Sequence, residues 1–111
     1  MTADEKTARI RELNDRLRKT GQGGRFMITQ GVQSLTPEMR RKVLAAVSGF
    51  DAFSEDNDPH HEHDFGNFQI DGKRYFWKID YYDPNLEFGS EDPADPAKTG
   101  RVLTIMFADE Y

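Results

Sequence analysis

At 111 residues, 36% hydrophobic and 32% charged, the chain has material for one modest core and no apolar run near the ~20 residues that span a bilayer. A 12% aromatic share argues for folding rather than disorder, and the absence of cysteine excludes disulfides, thiolate zinc sites and thiol nucleophiles. The net charge of -5 is a composite, because residues 1–50 carry ten Lys/Arg against five Asp/Glu and residues 51–111 carry five against fifteen.

The first twenty residues are charged and lack the apolar stretch of a secretory signal, so a cytoplasmic location is expected. Thr2 followed by Glu5 has capping-box spacing and starts a helix that should run from about Ala3 to Lys19. Its apolar stripe is thin (Ile10, Leu13, Leu17), and Arg11–Asp15 and Glu12–Arg16 are spaced for i,i+4 ion pairs on the exposed faces. Gly21-Gln22-Gly23-Gly24 ends it. Phosphate-binding glycine loops precede a helix rather than follow one, so this run is read as a helix stop.

Arg25–Thr29 reads as a short strand closed by Gly31. Thr36-Pro37 starts a second helix, with Thr as N-cap and Pro at the first helical position, and Met39, Val43, Leu44 and Val47 are its expected buried face. Residues 51–66 form a polar, turn-rich loop. Asn67–Ile70 and Arg74–Tyr81 flank Asp71-Gly72 and predict a hairpin, with Tyr75, Trp77, Ile79 and Tyr81 toward the core and Phe76, Lys78 and Asp80 away from it. A second long acidic connection, Pro84–Thr99, leads to the apolar strand Arg101–Ala108, whose two alternating sets of side chains place it at the centre of the sheet. The expected fold is a single α+β domain over residues 1–111, a small antiparallel sheet of about four strands with the C-terminal strand central and two helices packed on it.

All three histidines fall in Asp58-Pro59-His60-His61-Glu62-His63-Asp64. Imidazole beside carboxylate suits a transition metal, with His61, His63, Asp64 and Asp80 (or Asp83) as the candidate set. In an extended segment His61 and His63 would share one side and His60 and Glu62 the other. Neither His-x-x-x-His on a helix nor His-Glu-x-x-His is present, and no cofactor is expected. His63 beside Asp64 resembles half of an acid/base pair, but no serine stands in a nucleophile elbow, so no catalytic residue is assigned and an enzyme is not the expected class.

Two surfaces suit macromolecular partners. Arg9, Arg11, Arg16, Arg18 and Lys19 on the first helix, with Arg40, Arg41 and Lys42 on the second, have the density for phosphate contacts, against an overall acidic balance. The stronger signal is acidic. Glu55, Asp56, Asp58, Glu62 and Asp64 on one loop, and Asp83, Glu87, Glu91, Asp92 and Asp95 on the other, would form one surface for a protein with a basic face if both loops left the sheet at the same edge.

The runs Asn57-Asp58-Pro59, Glu62-His63-Asp64-Phe65-Gly66, Phe76-Trp77-Lys78-Ile79-Asp80-Tyr81-Tyr82-Asp83, Gly89-Ser90, Asp92-Pro93-Ala94-Asp95-Pro96, Arg101–Met106 and Ala108-Asp109-Glu110-Tyr111 resemble an uncharacterised bacterial family of unknown function, found mostly in alphaproteobacteria and often on plasmids and other mobile regions. Arg11–Asp15 and Gly21–Gly24 are similar to it as well. The resemblance implies a complete protein and no particular activity. It implies that His63 is the family-typical imidazole whereas His60 and His61 are not, and its mobile-element setting implies roles such as evasion of host defence, plasmid maintenance or regulation.

Overall fold

The computed structural model describes residues Met1–Tyr111. Helix α1 (Ala3–Thr20) is followed by β1 (Arg25–Ile28), a one-turn helix α2 (Gln30–Gln33), α3 (Pro37–Ser48), β2 (Phe65–Ile70), β3 (Lys73–Tyr82) and β4 (Gly100–Phe107), with 3-10 turns at Pro96–Lys98 and Ala108–Glu110. No helix is long and apolar enough to cross a membrane.

The capping box forms as spaced: Glu5 N–H donates to Thr2 Oγ1 at 3.1 Å, and Thr2 N–H donates to Glu5 Oε1 at 3.0 Å. These bonds hold the Glu5 carboxyl below the usual range. The expected i,i+4 ion pairs do not form. Asp15 bonds Arg18 at 3.1 Å, Arg9 bonds Glu12 at 3.1 Å, Arg11 donates to the His61 carbonyl, and Arg16 to Gln22. An exposed helix pair stabilises by only about 0.3–0.5 kcal/mol, so competing partners elsewhere readily take these side chains.

The sheet order is β1-β4-β3-β2, with β4 flanked by β1 and β3, and β3 antiparallel to both β2 and β4. Asp71 and Gly72 both have positive φ (51° and 80°), as a two-residue hairpin turn requires. β1 differs from expectation in running parallel to β4. No turn joins β1 to its neighbour, so local sequence does not set its direction. It is set where α1 ends, since the chain enters β1 across the start of β4, with the Cβ position of Gly24 only 2.6 Å from the Arg101 carbonyl oxygen.

The three helices lie on one face of the sheet, where Leu17, Val32, Val43 and Val47 pack against Tyr75, Trp77, Ile79, Leu103 and Ile105. This is the predicted face of the hairpin. Leu44 is exposed, contrary to expectation; α3 buries Val43 and Val47 and takes up Met39 only in part. Helix α2 was not foreseen, and is started by Thr29, whose hydroxyl accepts from Val32 N–H.

Arg18 holds the helical layer together from inside. At 1% exposure it donates from Nη1 to the carbonyls of Val47, Ser48 and Phe50 at 2.9–3.1 Å. Its guanidinium carbon sits 5.4 Å from the Phe53 ring centre and 5.3 Å from that of Trp77. A cation thus meets the carbonyls around the C-terminus of α3, where the helix dipole favours it.

Candidate functional site

β2 begins opposite Lys78, β3 ends at Tyr82, and β4 begins opposite Tyr82. Loops 51–64 and 83–99 therefore leave the sheet at the same end. They are also joined there. Tyr81 Oη donates to Glu62 Oε1 and accepts from Asn14 Nδ2, both at 2.7 Å. Asn14 Nδ2 donates as well to the Glu62 carbonyl at 3.0 Å, and Asn14 Oδ1 accepts from Arg101 Nε at 2.8 Å. Arg101 Nη2 completes the chain by donating to the Pro93 carbonyl. Asn14 and Arg101 are buried. Burial, reinforced by the Glu62 bond, pushes the Tyr81 phenol far up, so it stays a donor at any ordinary pH. Burial lowers the Arg101 guanidinium somewhat.

A second cluster fixes loop 51–64 to α1. His63 Nδ1 lies 2.9 Å from Asp15 Oδ1, and its ring stacks on Phe53 with 3.7 Å between centres and 2° between planes. Its backbone N–H donates to Oδ1 of buried Asp58 at 3.1 Å, and Asp58 Oδ2 is 3.6 Å from Nε2. His61 and His63 have φ of 58° and 54°, so the segment winds in turns and the extended alternation expected for residues 60–63 does not apply.

The four candidate metal ligands are not brought together. His61 points to Glu55 at 3.6 Å on the outside of the loop, and His63 to Asp15. Asp80 pairs with Lys78 at 3.0 Å on the opposite face of the sheet. Burial, and then the Glu62 carboxylate, raise the Asp64 carboxyl. No group of three or more His, Cys, Asp or Glu is arranged to hold a metal ion.

The ten acidic-loop residues divide by role. Asp58, Asp83, Asp92 and Asp95 accept loop N–H groups (those of His63, Glu87, Ala94 and Ala97), and Glu62 holds Tyr81. Asp64 is half-buried, and Glu55, Asp56, Glu87 and Glu91 are exposed. Glu91 makes one ion pair, with Lys98 at 3.5 Å, both partners largely in solvent. None of the ten pairs with an arginine side chain. Loop 83–89 is tightly made: Asp83 N–H donates to the Phe88 carbonyl at 2.7 Å, leaving the Phe88 side chain 71% exposed beside Glu87.

The basic surface is thinner than the sequence suggests. Arg18 is consumed in the interior, and Arg40 Nη1 caps the carbonyls of Gln33 and Leu35 at 2.8 and 3.0 Å. The polar residues that organise the acidic end, Asn14, Arg18 and Arg101, escape a reading based on apolar periodicity. One signal was present: Asn14 and Arg18 continue from Ile10 in steps of four and lie on the buried stripe.

A family model described as a protein of unknown function (DUF3768) matches residues 28–110, and the chain belongs to that family. No curated protein and no solved structure matches the chain.

Proposed function

We propose that this member of an uncharacterised family is a cytoplasmic accessory protein that binds another macromolecule, a protein with a basic surface, through the end of the sheet formed by loops 51–64 and 83–99. The carrying observation is the hydrogen-bonded chain Glu62–Tyr81–Asn14–Arg101–Pro93, which joins the two loops through α1. It supports one pre-ordered acidic surface rather than two independent acidic tails, and pre-ordering lowers the entropy cost of association. Complementary charge speeds encounter and selects the partner. The reading involves no catalysis and no cofactor.

One specific form is inhibition of a host nucleic-acid-targeting enzyme, with carboxylates on a rigid frame occupying a groove built for phosphates. The mobile-element setting implied by the sequence resemblance fits such a role. The test uses a variant that reverses only the projecting residues, Glu55→Lys, Asp56→Lys, Glu87→Lys and Glu91→Lys, leaving the loop-capping aspartates intact. In pull-downs from host lysate the wild-type protein should retain a partner that the variant loses. In a host with an active nuclease defence, wild type should raise the yield of incoming plasmid and the variant should not. Identical partners at identical yield would rule the surface out.

A further inference from the structure

We infer that the face of the sheet opposite the helices is a contact surface for a second copy of this chain. α1, α2 and α3 all pack on the Trp77 side. By the alternation of strand side chains the opposite face carries Arg25, Met27, Phe76, Lys78, Asp80 and Thr104, with Val102 and Met106 already buried toward its two ends. Met27 is 56% exposed, and no helix covers this side. Only its two ends are shielded. Tyr111 lies 5.4 Å from the Phe76 ring at one end, and at the other Leu86 packs where the missing side chain of Gly100 would stand. Between them is a hollow of about 300 Å³ walled by Thr29, Lys78, Thr104, Met106, Glu110 and Tyr111.

The face is self-complementary in charge. Lys78 and Asp80, two positions apart on β3, pair at 3.0 Å with side chains 39% and 36% exposed. A two-fold axis lying in the interface and crossing the strands at the level of Ile79 and Leu103 sets Lys78 against the partner's Asp80, and Asp80 against the partner's Lys78. Phe76 then faces the partner's Tyr82. The same axis also sends the acidic ends of the two copies to opposite ends of the dimer. An axis along the strands would oppose Lys78 to Lys78 and bring the acidic ends together, so the antiparallel arrangement is the one selected.

Four strands spaced ~4.8 Å apart, overlapping over ~6 residues of ~3.3 Å, offer about 400 Å² per copy, or about 800 Å² in all. Stable specific complexes bury about 1,200–2,000 Å². The dimer is therefore a weak one that dissociates on dilution.

The test is sedimentation velocity on the full chain at low salt, from about 10 µM to about 500 µM. The sedimentation coefficient should rise with concentration toward that of a dimer. Lys78→Asp and Asp80→Lys should each move the midpoint at least tenfold higher in concentration, and the double swap should restore it. Met27→Arg, at an exposed position that the same axis sets against the partner's Arg25, should weaken association as well, with circular dichroism verifying the fold of every variant. A monomer throughout the range would overturn the inference. So would association untouched by Met27→Arg, or a folded double swap that fails to recover.

Discussion

The interior of this small protein is wired by a few charged and polar side chains. Arg18 touches four acceptors, three carbonyls around the end of α3 and the Asp15 carboxylate. Removing one partner from such a buried arrangement costs about 3–5 kcal/mol, a large part of the 5–15 kcal/mol that a domain has in total. Arg18→Ala should lower the free energy of urea unfolding by about 3 kcal/mol or more, whereas Arg16→Ala, at an exposed position two residues away, should change it by less than ~0.5 kcal/mol. Asp64 behaves in the opposite sense. Burial raises its carboxyl in the folded protein, so the folded state holds this proton to higher pH than the unfolded state does. Its contribution favours folding at low pH and is lost as pH rises from the ordinary carboxylate range through the folded pKa. Asp64→Asn should therefore raise the melting temperature at pH 7, with the gain vanishing in acid, where both side chains are neutral; thermal unfolding at several pH values measures this.

At the scale of elements, legibility followed locality. The capping box, the Asp71-Gly72 hairpin, the N-cap at Thr36 and the buried set Tyr75, Trp77 and Ile79 each depend on residues a few positions apart, and each formed as read. The parallel placement of β1 was not legible, because its partner Val102–Ile105 lies about eighty residues away. What secures that strand is equally distant. The Glu110 carboxylate accepts from Thr29 Oγ1 at 2.6 Å, Gly31 N–H at 3.0 Å and Phe107 N–H at 2.8 Å, tying the end of β4 to the exit of β1. The Thr29 bond above all, then the Phe107 N–H, hold this carboxyl below its usual range, so its contribution is present at neutral pH and is lost as pH falls through the folded pKa. Glu110→Gln should speed amide exchange across residues 25–33 at pH 7 while leaving the β2–β3 hairpin protected. Uniform exchange in both regions would contradict that role.

For the whole molecule, the sequence made visible the contrast between a basic first half and an acidic second half, and the two carboxylate-rich loops. It did not make visible that Asn14 and Arg101, 87 positions apart, close the space between those loops, nor that half of the carboxylates serve as internal acceptors. Those facts depend on which end of the sheet each loop leaves, which only the register of β2, β3 and β4 decides. The structure thus reduces ten acidic candidates to four that project, Glu55, Asp56, Glu87 and Glu91, on a frame braced from beneath. The same bracing makes the account vulnerable at one point, because a pre-ordered acidic surface must respond to charge and to salt together. The most direct measurement is calorimetric titration of the captured partner with wild type and with the four-site lysine variant, at about 50 mM and about 300 mM salt. The account predicts wild-type affinity that falls at the higher salt, and a loss of at least tenfold in the variant at low salt. Equal affinity of the two proteins, with no dependence on salt, would contradict it.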